Sequence, residues 1–130
     1  MPDNFDQTPG TICWNELEVK NVNEAKRFYA EVLGWTSQDM QGGYTVFMNN
    51  GKPVAGMMNI DNIDGGEQIP PNWFVYIAVA DINEALEKTK ANGGIVSKGP
   101  FEVPNMGTMA VIIDAAGAAL AIVEPPQKGD

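Results

Sequence analysis

Two periods alternate along the chain, and the alternation occurs twice. From Ile12 to Val19 side chains switch character at every residue: Trp14, Glu16 and Glu18 fall on one side, Asn15, Leu17 and Val19 on the other. Period two is the mark of a strand with two unlike faces. From Val22 the apolar positions change to helical spacing, through Ala25, Phe28, Tyr29, Val32 and Leu33, and stop at Gly34. Trp73 to Ala80 again reads as a strand, and Ile82, Ala85, Leu86 and Thr89 as a helix ending at Asn92-Gly93-Gly94. Asn21 and Asp81 stand where N-caps belong. Glu24 and Glu84 follow three residues later, the spacing of a capping box.

The two passages are copies. Val19-Lys-Asn-Val-Asn-Glu-Ala25 recurs sixty residues on as Val79-Ala-Asp-Ile-Asn-Glu-Ala85, with four of seven positions identical. The same offset pairs Trp14 with Phe74 and Gly34 with Gly94. Short strand-like runs follow each helix. In the first copy they lie around Thr36, at Tyr44 to Met48 and at Val54 to Ile60, with Asn49-Asn50-Gly51 as a hairpin turn. In the second they lie at Ile95 to Lys98, Thr108 to Ile113 and Ala118 to Glu124, with Asp114 to Gly117 as the turn. Each copy reads β-α-β-β-β, over about 11–60 and 72–124, within a single domain of class α+β. Residues 61–71 read as the linker, and the two chain ends as loose.

Composition narrows the chemistry. The formal net charge of −9 leaves no basic patch for nucleic acid or for an anionic membrane surface. No apolar run reaches membrane-spanning length, and the start lacks the features of a secretory signal, so a cytoplasmic protein is expected. There is no histidine and one cysteine, Cys13, which reads as a small buried hydrophobe. These counts exclude histidine general bases, Ser-His and Cys-His nucleophiles, and His- or Cys-ligated zinc.

Two motifs carry a resemblance. Glu24-Ala-Lys-Arg-Phe-Tyr-Ala-Glu-Val-Leu-Gly-Trp35 is similar to the stretch of the vicinal oxygen chelate superfamily in which Phe-Tyr precedes a leucine-glycine helix end. Asp114 to Gly117 resembles its late Asp-Pro-x-Gly turn without the proline. That superfamily includes glyoxalase I, bleomycin-resistance proteins and ring-cleaving dioxygenases. The resemblance implies two βαβββ modules with cup-shaped mixed sheets, a pocket, and commonly a homodimer. In metal-dependent members His, Gln or Glu ligands come from the first and last strands of each module. Carried over residue by residue, those positions fall on Trp14, Phe74, a residue at or beside Met57, and Ala121. None of these holds Mg²⁺, Mn²⁺, Fe²⁺ or Zn²⁺, so no metal and no cofactor is expected.

Alternation puts Glu16 beside Trp14, and Tyr76 beside Phe74, on the cup side. Two readings compete for these residues. Trp14, Met57, Phe74, Tyr76 and Ala121 simply fill a core, or with Glu16 they line a pocket for a small organic molecule. Glu16 likewise either sits solvated at a rim or lies deep, where it can meet a cation or act as a base. The expected function is metal-free binding of a cationic or aromatic small molecule. The alternatives are a glyoxalase-like lyase, isomerase or dioxygenase with an atypical site, and an interaction module with a vestigial pocket.

Overall fold

The computed structural model describes residues 5–63 and 65–126. Its elements run β1 (Ile12–Val19), α1 (Val22–Leu33), β2 (Thr36–Asp39), β3 (Tyr44–Asn49), β4 (Lys52–Asn59), β5 (Asn72–Ala78), α2 (Ile82–Ala91), β6 (Ile95–Val103), β7 (Gly107–Ile113) and β8 (Ala119–Glu124). The chain is α+β, and β-α-β-β-β occurs twice. Packing divides it into two compact units, 14–74 and 1–13 with 75–130.

In the first unit β1 runs parallel to β4, and β3 is antiparallel to both β2 and β4. A two-residue turn joins β3 to β4. Asn50 and Gly51 both adopt positive φ, as the twist of a tight hairpin requires. Leu17, Phe47, Ala55 and Met57 form the buried core, and Val22, Ala25 and Tyr29 of α1 pack against it. Phe28, Val32 and Leu33 share the helical spacing of these residues but not their burial. They are instead about half exposed, because the core arc of α1 is already taken by Val22, Ala25 and Tyr29. Tyr29 stacks on Trp35 and meets Phe47 and Trp73 edge-on.

The second unit repeats the scheme. β5 is parallel to β8, and β7 is antiparallel to β6 and β8. Ile82 and Leu86 of α2 pack on Ala110, Ile112 and Ile122. β6 continues to Val103, five residues past its expected end at Lys98. Its register shifts between Val96 and Phe101 carry Pro100, so the proline interrupts the ladder without ending the strand.

Both N-caps act as expected. Asn21 Oδ1 accepts from Glu24 N at 3.0 Å, and Asp81 Oδ1 from Glu84 N at 3.1 Å. The glutamates do not close the capping boxes; they pair forward along their helices, with Arg27 and Lys88, each at 2.9 Å. Gly34 ends α1 in the left-handed conformation. Glu124 Oε1 accepts the Ile82 amide at 2.8 Å.

The expected linker is folded in part. Single 3₁₀ turns occupy Ile60–Asn62 and Gly66–Gln68, and Ile60 is fully buried. Residues 1–4 and 127–130 of the expected loose ends lie outside the described residues. Of the rest, Phe5 is buried, and the Gly10–Thr11 backbone pairs with Ala78 at 2.8–2.9 Å. No helix among the described residues is long and apolar enough to cross a membrane.

Candidate functional site

In the first module the expected residues lie on the sheet face turned away from α1. Alternation along β1 presents Trp14, Glu16 and Glu18 there, and all three are buried. Glu16, at 4% exposed, lies deep rather than at a solvated rim. Trp14 Nε1 donates to the Tyr44 hydroxyl at 2.8 Å, and the Glu16 carboxylate lies near enough for its charge to act on that hydroxyl. Burial, followed by the Glu16 charge, pushes the Tyr44 phenol far above its ordinary value, while the Trp14 N–H pulls the other way. The Tyr44 hydroxyl therefore keeps its proton. Further along the strand, Glu18 Oε1 accepts from Asn72 Nδ2 at 3.4 Å.

Gly56 makes this arrangement possible. It lies opposite Glu16 in the parallel register and opposite Val46 in the antiparallel one. A Cβ at position 56 would overlap the Tyr44 hydroxyl, so the glycine leaves the notch in which the phenol rests. Tyr44 and Gly56 were not identified from sequence. The available signal was a glycine inside a strand pattern, which marks close approach of another group.

Met57 is displaced from its expected place. It pairs with Leu17 and packs in the core beneath α1, on the opposite face from Trp14 and Glu16. The sequence reading located this position to within one residue, and a one-residue step in a strand reverses the face. Gly56 and Met58 are the β4 residues in register with Glu16 and Glu18.

In the second module Tyr76 and Ala121 are direct partners across β5 and β8, and Val111 of β7 faces Ala121 from the other side. Alternation places Phe74 on the face of Tyr76. All three are buried, Ala121 completely. Cys13 is half-buried, its Sγ 3.4 Å from the Tyr76 carbonyl, and burial raises its thiol above the ordinary range. Among the described residues, one cleft lies beside α1 and another beside α2, and none of the six expected site residues lines either of these.

The donor set does not fit a metal of the superfamily's kind. Trp14, Phe74 and Ala121 offer no ligand atom, and Met57 faces the wrong way. No group of three or more His, Cys, Asp or Glu stands within reach of one ion among the described residues. What the first module offers instead is a buried carboxylate, Glu16, beside an indole N–H that donates to the Tyr44 phenol.

The chain belongs to the Glyoxalase/Bleomycin resistance protein/Dioxygenase superfamily, whose model matches residues 5–122. It is 32% identical over 127 residues to "Putative glyoxylase CFP32" of Mycobacterium tuberculosis, covering 94% of this chain and 48% of that protein. It is 35% identical over 129 residues to the anthracycline biosynthesis protein DnrV of Streptomyces peucetius, covering 88% of this chain and 46% of that protein. The chain thus spans about half the length of the curated relatives it matches. A superfamily member from Vibrio splendidus shares the fold at a TM-score of 0.58 and 12% identity, over 87% of this chain and 97% of that one.

Proposed function

We propose that the protein binds a small organic molecule without a metal, at the first-module face that carries Trp14, Tyr44 and Glu16. The observation that supports this reading is a buried carboxylate, Glu16, beside the hydrogen-bonded pair of the Trp14 indole and the Tyr44 phenol. A buried carboxylate keeps its charge in surroundings of low polarity, where attraction to a cation is stronger than in water. A ligand with a cationic or N–H-bearing end would be attracted by the Glu16 charge, and an aromatic body would pack on Trp14. A relative named for anthracycline biosynthesis fits this preference, since anthracyclines are planar fused-ring compounds. A cytoplasmic location and a homodimer are part of the proposal. Exposed Ile12, Val32 and Ile95 favour association, and two such chains together match one curated relative in length.

The test is titration with planar aromatic cations, anthracyclines among them, followed by tryptophan fluorescence and thermal shift. Trp14→Ala should weaken binding several-fold to tens of fold, the equivalent of ~0.5–2 kcal/mol for a stacked or cation–π contact. Glu16→Gln should weaken a cation more than its neutral analogue, chiefly at low salt. If no compound class produces a saturable change, the binding reading fails. About one tightly held transition metal per chain by elemental analysis would overturn its metal-free part.

A second reading, a glyoxalase-like enzyme, is favoured by the 32% identity to a protein named as a glyoxylase. In it Glu16 would move the proton and Tyr44 would position the carboxylate. Turnover of a glutathione hemithioacetal by the purified protein, lost in Glu16→Gln, selects this reading over simple binding.

A further inference from the structure

Both modules carry a cleft at the same place in their repeat, between the N-terminal half of the helix and a proline-containing segment. In the second module it is about 220 Å³ and is lined by Val79, Ala80, Asp81, Glu84, Ala85 and Lys88, with Pro9 and Gly10 opposite. In the first it is about 500 Å³ and is lined at the equivalent positions by Val19, Lys20, Asn21, Glu24, Ala25 and Phe28, with Pro71 opposite. The second module therefore acts as an internal control on the first.

The differences between them share one direction. Lys88 lines its cleft and pairs with Glu84 at 2.9 Å, whereas Phe28, the residue in its place, presents a ring that meets Tyr29 edge-on at 5.2 Å. Leu17, Val19 and Ala25 make an apolar floor beneath Phe28, Tyr29 and Pro71. Charge changes as well. Lys20, Asn21, Glu24, Arg27 and Phe28 carry one net positive charge, where Ala80, Asp81, Glu84, Glu87 and Lys88 carry two net negative. Arg27 is held by Glu24, but Lys20 is exposed and has no ion-pair partner among the described residues. In a chain with eight basic residues and a net charge of −9, a three-charge swing toward positive beside an enlarged apolar cleft is a specific departure from the repeat.

We propose that the outer cleft of the first module is a second binding site, which takes a small organic anion with an aromatic body. The carboxylate or sulfonate end meets Lys20, and the ring lies between Phe28 and Pro71 over Leu17 and Val19. The volume is within the range of small-molecule sites, and a positive rim in an otherwise acidic protein attracts an anion and repels a cation only locally. This site lies on the helix side of the sheet and does not depend on the Trp14–Tyr44–Glu16 face.

A charge-reversed probe pair tests it. 2-Naphthoate and 2-naphthylmethylammonium are titrated into the full chain, and the Leu17, Val19 and Ala25 methyl groups are followed by NMR. The naphthoate should shift those methyls saturably and bind more weakly as salt rises, and the ammonium should not. Lys20→Ala, which installs the second module's residue, and Phe28→Gln should each weaken naphthoate by about tenfold, the order expected for one charge contact or one apolar wall. Both variants should keep the wild-type melting curve, because both positions are exposed. Glu16→Gln should leave naphthoate binding unchanged, so failure at the other face is read separately. Equal binding of the two probes, shifts confined to other residues, no saturable shift, or variants that bind like wild type each overturn the proposal.

Discussion

At the scale of single residues, the first module depends on a glycine and a tyrosine that fit together. Tyr44→Phe removes the acceptor of the Trp14 N–H in buried surroundings. The expected cost is about 1–3 kcal/mol of unfolding free energy by denaturant titration. Gly56→Ala forces the phenol out of its notch and should cost at least as much. The two effects should not add. With Tyr44→Ala in place, most of the Gly56→Ala penalty should disappear, because the methyl would then enter vacated space; additive penalties would show that the notch is not what constrains position 56. From sequence, the facing of Glu16 could be read, because it needs only β-strand alternation. The Tyr44 contact could not. It depends on which residue of β3 lies across β4 from β1, a matter of register that no local pattern carries.

At the scale of elements, caps and turns rest on short-range hydrogen bonds, and most were legible. Asp81→Ala should destabilise by about 0.5–2 kcal/mol, the usual loss for an N-cap. The Asp114 turn makes a pH prediction. Amides of Ala118, Ala116 and Gly117 hold the Asp114 carboxyl below its ordinary value. A depressed folded-state pKa means that the ionised form is the stabilising one. Its contribution is complete above the unfolded aspartate value of ~3.9 and is lost as pH falls toward the folded value. Asp114→Asn should therefore lower stability at neutral pH and show a smaller loss on acidification below about pH 4 than the parent does. Parallel acid titrations of the two proteins check this. The partial linker and the extended β6 were less legible. Proline and glycine mark irregular backbone, but local sequence does not say whether it leaves the ladder or bulges within it.

At the scale of the whole molecule, the relevant quantities are charge, apolar surface and assembly. With a formal charge of −9 on 14.0 kDa, close approach of two copies is resisted electrostatically and must be carried by apolar contact. If the proposed homodimer forms, light scattering at micromolar concentration gives about twice the chain mass, and added salt strengthens it through screening of like charges. A chain mass at all salt concentrations counts against the dimer.

Sequence by itself determined the repeat, the strand–helix order of both modules, the family, and the lack of ligand atoms at Trp14, Phe74 and Ala121. Each rests on residue identity or on periodicity, and both are written in one dimension. Tertiary structure decided which face Met57 occupies, which hydroxyl meets Trp14 and Glu16, and how exposed Phe28 is. A one-residue step in β4 changes a lining residue into a core residue, and the first helix had more apolar residues than its core arc could bury. The likeness of the two clefts needed both kinds of information. The repeat named the equivalent positions, and only the folded chain showed that both line a cleft, one walled by Lys88 paired with Glu84 and the other by the Phe28 ring.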